Sequence, residues 1–266
     1  MSELSVTRLT GAFGAEVKGV VLSEMGDNLF ATLHRSWLDH DGLMVLRDQE
    51  LTADAHVEFA ARFGNHLLEA EPRDHALPGY PAIYHVDYTV AETPQPRAFV
   101  DTGGAWHAYY ADTDEISGAS ILHVVEMAPK GGDIFFADLY AAYDALSPTM
   151  RDLLADLEAV HTSSAHVAAQ TPKQAIHPIV RTHPETERSV LFISPGFTTE
   201  IVGLHRAESD ALLGFLKAHV TQPAFIYRHH WVAGDVLVWD NRCTLHNALP
   251  DGHGGGRVTF NRVAVR

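Results

Sequence analysis

Two histidines far apart in the chain raise the question of a metal. His107 lies in WHAYYADTDE (106–115), with Tyr109 two residues on, where a carboxylate would complete a familiar iron-ligand pair. His246 closes WDNRCTLH (239–246), and Arg257 follows eleven residues later. Two imidazoles and one carboxylate on one face of Fe(II) leave three positions open, enough for a bidentate oxoacid and O2. An arginine on a neighbouring strand can then hold the far carboxylate of that oxoacid through a two-pronged hydrogen bond. Tyr109 breaks the pattern. A neutral phenol is a poor ligand, although a metal can bind the phenolate, as some haem proteins do. Tyr109 therefore either ligates or fills the space of a lost carboxylate. Asp112, Asp114 and Glu115 are substitutes only if the loop turns in a non-standard way.

Such groups need a scaffold. Short β-type runs dominate: 5–10, 15–22, 42–48, 119–126, 133–138, 177–183, 189–194, 224–231, 235–240 and 257–265. They are rich in Val, Ile, Phe and Tyr and bounded by Gly, Pro, Asp or Asn. Helical spacing predicts helices over 28–40, with Leu29, Leu33 and Trp37 on one face, and over 52–64, 147–161 and 208–220. Thr52 and Ser147 read as N-caps, Pro148 as a first helical residue and Gly64 as a C-cap. The pattern is mainly β with flanking helices (α+β), an antiparallel core with helices outside it. The segments 65–82 and 162–176 read as long loops.

Composition sets limits. The 266 residues suffice for a sizeable core, expected to be one domain over 1–266. The net charge of −15 argues against nucleic acid and anionic membranes as partners. One cysteine, Cys243, excludes an internal disulfide and fits a reducing compartment. The first residues, MSELSVTRLTGAFGAEV, lack the charged and apolar regions of a signal peptide, so a cytoplasmic protein is expected. His123, inside the apolar run ILHVV, reads as a satisfied core residue. His66 is a weak candidate for substrate contact, and Cys243 reads as a small buried residue.

The motifs GAEVKGVVL, VLRDQELT, EFAARFG, Trp106–His107, PKGGD, AAYDALSP, HPIVRTHPET, LFISPGFTTEIVGL and VWDNRCTLH together resemble the taurine/2-oxoglutarate dioxygenase (TauD/TfdA) family from about residue 4 to the C-terminus. The resemblance implies a double-stranded β-helix, the jelly roll or cupin-like fold. It also implies Fe(II), 2-oxoglutarate as co-substrate, O2, and oxidation of a small organic substrate with release of succinate and CO2. A homo-oligomer is expected on the same ground. By this resemblance His107 and His246 are metal ligands and Arg257 clamps 2-oxoglutarate.

Three positions depart from the family. Tyr109 stands in the place of the carboxylate ligand. Ile134 follows GGD (131–133), where the family has a threonine that hydrogen-bonds the oxoacid. The second arginine, Arg262, lies five residues after Arg257 rather than four, so the two point oppositely unless a bulge intervenes. Two alternatives stay open beside the oxygenase: a divergent metalloenzyme with a His/Tyr/His site that uses no 2-oxoglutarate, and a non-catalytic small-molecule-binding protein.

Overall fold

The computed structural model describes residues 4–11, 13–70, 73–90, 105–128, 131–163, 173–249 and 255–266. The chain opens with the antiparallel pair β1 (Ser5–Arg8) and β2 (Ala15–Lys18). Helix α1 (Asp27–Asp39) buries Leu33 and Trp37, as its spacing predicts. After β3 (Leu43–Leu46) comes α2 (Ala53–Ala60), whose Thr52 cap accepts a hydrogen bond from the Ala55 N–H. Strands β4 (Ala76–Leu77), β5 (Tyr80–Val90), β6 (Ala119–Glu126) and β7 (Ile134–Asp138) follow. Helices α3 (Leu139–Asp144) and α4 (Pro148–Leu154) lead to β8 (Glu158–Thr162), β9 (Gln174–Pro178), β10 (Val180–Thr182), β11 (Ser189–Leu191) and β12 (Thr198–Ile201). Helix α5 (Arg206–Val220) then precedes β13 (Ile226–His229), β14 (Val236–Asp240), β15 (Thr244–Ala248) and β16 (Gly256–Ala264).

Eight strands form one sheet in the order β1-β2-β3-β14-β6-β16-β5-β4, and a second, three-stranded sheet runs β13-β7-β15. Strict alternation decides what each face meets. Met44, Leu46, Val236 and Val238 turn outward and are covered by Trp37 and Phe59 of the helices. Leu43, Val45, Leu237, Trp239, Leu122 and Val124 turn inward and pack with Ile134 and Phe136 of the smaller sheet. Both faces of the central strands are therefore buried, which is why LMVL and VLVW read as unbroken apolar runs. The expected β core with external helices is what forms. Among the described residues no helix is long and apolar enough to cross a membrane.

Three expectations need correction. The helix predicted over 147–161 ends at Leu154, and 158–162 becomes β8, paired on both sides by β12 and β9. A central strand position outweighs the local helical spacing. Gly64 is not a left-handed cap, since its φ is −172°. A Cβ there would lie 2.3 Å from the Arg266 carbonyl oxygen, so close approach to the chain end demands glycine. The segment 65–82 is not one loop, because it holds β4 and the start of β5. Of the loop expected over 162–176, residues 164–172 lie outside the described residues.

Candidate metal centre

The two histidines meet because their backbones pair. The His107 N–H donates to the His246 carbonyl at 3.0 Å, and the His246 N–H returns to the His107 carbonyl at 2.9 Å. Residues directly opposed in an antiparallel pair carry their side chains on the same face. The two imidazole centroids are accordingly 4.1 Å apart. The segment bearing His107 hangs on the LFISPGF motif. The Gly196 N–H donates to the Trp106 carbonyl, and the Ser194 hydroxyl accepts from the Ala108 N–H. A Cβ on Gly196 would stand 2.8 Å from the Ala105 Cβ, so the motif's glycine lets the two segments touch. Asn241 of the WDNR motif holds the other end. Its Oδ1 accepts from the Tyr109 N–H and the Trp239 indole N–H, while its Nδ2 donates to Ser117 and Ser120. Residue order alone does not single out Asn241 or Gly196 as supports, although both lie within the motifs that carry the family resemblance.

Burial holds both imidazoles toward the neutral form. The Nδ1–H of His107 donates to the Ala105 carbonyl at 2.9 Å, which leaves Nε2 as a lone pair. His246 Nδ1 is buried with no hydrogen-bond partner among the described residues. Burial pushes His107 down to about 4, against the Ala105 hydrogen bond and with help from the charge of Arg262. Burial, then His107 and Arg262, hold His246 well below its ordinary value.

The imidazoles open into a cavity of about 160 Å³ between the two sheets. Tyr109 and Arg262 line it with them, beneath a mostly apolar wall that includes Leu122, Val124, Ile134, Trp231, Val258 and Phe260. Arg262 is opposed across the ladder by Tyr84 and Leu122. Its guanidinium carbon sits 4.0 Å from the Tyr109 ring centroid and 4.8 Å from that of Tyr84. No acidic group or hydrogen-bond acceptor among the described residues takes its N–H groups. It is held by aromatic faces with its N–H edge unspent, an arrangement that could receive an anion.

Arg257 is elsewhere. It is 55% exposed, and its guanidinium forks onto both carboxylate oxygens of Asp87. The reason is register. Strand β16 runs without a shift against β5, so Val258, Phe260 and Arg262 share the cavity face and Arg257 takes the opposite one. The bulge falls on β6 instead, between Val124 and Glu126. Of the two arginines expected at the co-substrate, only Arg262 lines the cavity, and Arg257, expected as the clamp, does not reach it. His66 is exposed and away from the cavity, as are Asp114 and Glu115, and Asp112 does not line it. His123 points its Nε2–H at the Gln49 carbonyl in the core.

A second set of donors, His183, Asp240 and Cys243, lies buried within 4.8 Å of one another. Its atoms are already engaged. His183 Nδ1 accepts from the Glu185 and Thr186 N–H groups, and its Nε2–H donates to Asp240 at 3.0 Å. Arg242 forks onto both oxygens of the same carboxylate. Burial would raise Asp240, but the Arg242 charge and the hydrogen bonds from Arg242 and His183 hold it below its ordinary value. Burial pushes the Cys243 thiol up, so no thiolate is on offer. This cluster ties the WDNR turn to the HPIVRTHPET motif.

The fit to iron can be judged on these donors. Two neutral imidazoles side by side, one with an orphaned ring nitrogen, suit a borderline divalent metal such as Fe(II). Tyr109 and Arg262 line the same cavity, where a phenol and a cation would meet a bound metal and a carboxylate-bearing oxoacid.

Comparison with known proteins shows the family and the fold. The taurine catabolism dioxygenase TauD, TfdA family model matches residues 5–264. The (S)-phenoxypropionate/alpha-ketoglutarate-dioxygenase of Delftia acidovorans is 32% identical, covering 93% of this chain and 90% of its own. The alpha-ketoglutarate-dependent 2,4-dichlorophenoxyacetate dioxygenase of Cupriavidus pinatubonensis is 30% identical, covering 88% of each chain. The crystal structure of a taurine dioxygenase from Burkholderia xenovorans superposes with a TM-score of 0.84 at 33% identity, over 98% of this chain and 89% of that one. AAD-2, crystallised with Mn(II) and N-oxalylglycine, superposes at 0.79 with 25% identity, over 99% of this chain and 97% of that one. These likenesses assign the jelly-roll core and favour neither alternative to the oxygenase. The chain belongs to the TauD/TfdA family, whose members are Fe(II)- and 2-oxoglutarate-dependent dioxygenases acting on small organic substrates.

Proposed function

We propose that His107 and His246 hold the iron, that Tyr109 is the third protein donor beside it, and that Arg262 receives the distal carboxylate of 2-oxoglutarate. The observation that carries this reading is the pairing of the two imidazoles in one cavity with an arginine whose N–H groups have no protein acceptor among the described residues. Iron bound there would activate O2 while the oxoacid is converted to succinate and CO2. The chain's own residues do the rest. The Ala105 carbonyl and the backbone pairing hold the His107 ring in one tautomer and direction. Ile134, Val258 and Trp239 add apolar surface to the cavity lining.

The substrate proposed is a small molecule with an aryl or alkyl body, of the kind named for the phenoxypropionate and dichlorophenoxyacetate relatives. Tyr84, Tyr88, Trp231 and Phe260 give the cavity aromatic walls that match such a body. The single, buried Cys243 fits the reducing cytoplasm as the compartment. The test is succinate release from 2-oxoglutarate with Fe(II) and O2 across a panel of aryloxyalkanoates, alkyl sulfonates and sulfate esters. Substrate-dependent succinate with one body type supports the reading. Absence of succinate with every substrate, from protein that binds iron and oxoacid, refutes it.

A further inference from the structure

The motif HPIVRTHPET places His177 in β9 and Arg181 in β10. Both lie against the buried Phe192. The His177 ring stands edge-on to it with centroids 5.6 Å apart, and the Arg181 guanidinium carbon is 5.0 Å from its centroid. No carboxylate among the described residues pairs with this guanidinium. Its Nη1–H donates instead to His177 Nδ1 at 3.3 Å. Arginine only donates, so Nδ1 is the acceptor and the ring proton sits on Nε2. That Nε2–H reaches the Ala111 carbonyl at 3.0 Å, 66 residues back in the chain. Ala111 follows a sharp turn. Tyr109 lines the cavity, and Tyr110 after it has a φ of +62°. Four non-glycine residues among those described take positive φ, two aspartates, a glutamate and Tyr110, the single aromatic one. A bulky side chain in the left-handed region is strained and stays there only where surrounding contacts hold it. The Ala111 N–H donates to the Ala108 carbonyl at 3.4 Å, and the Thr113 N–H to the Tyr110 carbonyl at 3.2 Å. These two bonds are local to the turn, whereas His177 grips it from another sheet.

We propose that Arg181 and His177 are positioning residues that hold Tyr110 in its strained conformation and so aim Tyr109 into the cavity. Arg181 fixes the tautomer of His177, and His177 fixes Ala111. The chain reversal at Tyr110 then leaves its ring edge-on to Tyr109, with centroids 4.4 Å apart, and the Tyr109 face against Arg262. Without the His177 hydrogen bond, Tyr110 relaxes to negative φ, the chain beside Tyr109 swings, and the Tyr109 ring loses its fixed place over Arg262. The use of this device in the reaction rests on the reading of Tyr109 as the third donor. The aim of the ring does not.

The experiment labels the full chain with 3-fluorotyrosine and follows it by fluorine NMR without metal. The chain has eight tyrosines, and the resonance missing from Tyr109→Phe is that of Tyr109. In the parent it should be a single line. His177→Leu should split it or move it by more than its linewidth. Arg181→Met should act in the same direction to a smaller extent, and Arg181→Lys, which still donates, should keep the parent position. Asparagine tolerates the left-handed region. Adding Tyr110→Asn to His177→Leu should therefore return the resonance to the single line of Tyr110→Asn alone. A merely structural role for His177 predicts otherwise. A lower melting temperature in His177→Leu with the Tyr109 line unmoved overturns the proposal, and so does a displaced line that Tyr110→Asn does not rescue. Where His177→Leu does not fold, the half-buried Arg181 carries the test, and a Tyr109 line in Arg181→Met identical to the parent's overturns the proposal. Mn(II) titration of the same variants separates this device from the donor reading. Affinity should fall on the order of 10-fold where the ring is displaced. Unchanged Mn(II) affinity with a displaced ring overturns Tyr109 as a donor and leaves the aiming of its ring established.

Discussion

Replacing Arg262 and Arg257 separately by alanine separates two arginines that lie five residues apart on one strand. Arg262 lines the cavity with its N–H edge unspent, and Arg257 is spent on Asp87 at the surface. A charge-assisted hydrogen bond contributes roughly 1.5–3 kcal/mol, and a fork makes two of them. Arg262 is only partly buried, so about 3–4 kcal/mol is a reasonable sum for losing its hold on a carboxylate. At about 1.4 kcal/mol per decade, that predicts N-oxalylglycine binding weaker by between two and three orders of magnitude in Arg262→Ala. Arg257→Ala should leave the affinity unchanged, because its exposed partner is on the other face of β16. Isothermal titration calorimetry with Mn(II) present reads both, and a thermal melt of each variant checks folding. Equal losses in the two variants, or no loss in Arg262→Ala, would refute the assignment from strand parity.

Three further outcomes follow from the same structure. Gly196→Ala places a methyl 2.8 Å from the Ala105 Cβ and should destabilise the chain by about 1–3 kcal/mol in urea melts, with metal affinity falling as the His107 segment shifts. Asp240→Asn leaves the partly buried Arg242 and the buried His183 without their carboxylate and should cost about 3–5 kcal/mol at neutral pH. Because the folded Asp240 is held below its ordinary value, that difference should be present above about pH 4 and fade as pH falls further. Finally, burial lowers His56 and His107 to about 4 and His161 to about 3, so the unfolded chain binds more protons than the folded one below pH 6.5. Asp138, raised to about 7 by burial, works the other way, since it favours the folded state at low pH. Three imidazoles outweigh one carboxyl, and each tenfold loss of proton affinity on folding is worth roughly 1.4 kcal/mol, so stability should drop steeply as pH falls from 6.5 toward 4. Urea midpoints flat across that window would contradict the burial of these rings.

What the sequence by itself determined was the chemistry-bearing types and their local frames. Trp106–His107 and WDNRCTLH picked out the two imidazoles that the fold brings together, because few residue types can ligate iron, whereas their support by Asn241 was not legible. The unbroken apolar runs LMVL and VLVW were legible as strands, and the Thr52 and Ser147 caps were legible because capping is a local hydrogen bond. Strand β5 was not legible, since YPAIYHVDYTV mixes polar and aromatic residues and its partner β16 lies about 170 residues on. Only the tertiary structure decided which arginine enters the cavity. One extra residue in a strand turns every later side chain over, and the sequence does not say which strand absorbs it. Here β6 takes the bulge and β16 stays regular, so Arg262 faces the imidazoles and Arg257 faces Asp87. The same packing decided the charge of the site, because a field is set by distance and burial, and neither is written in residue order.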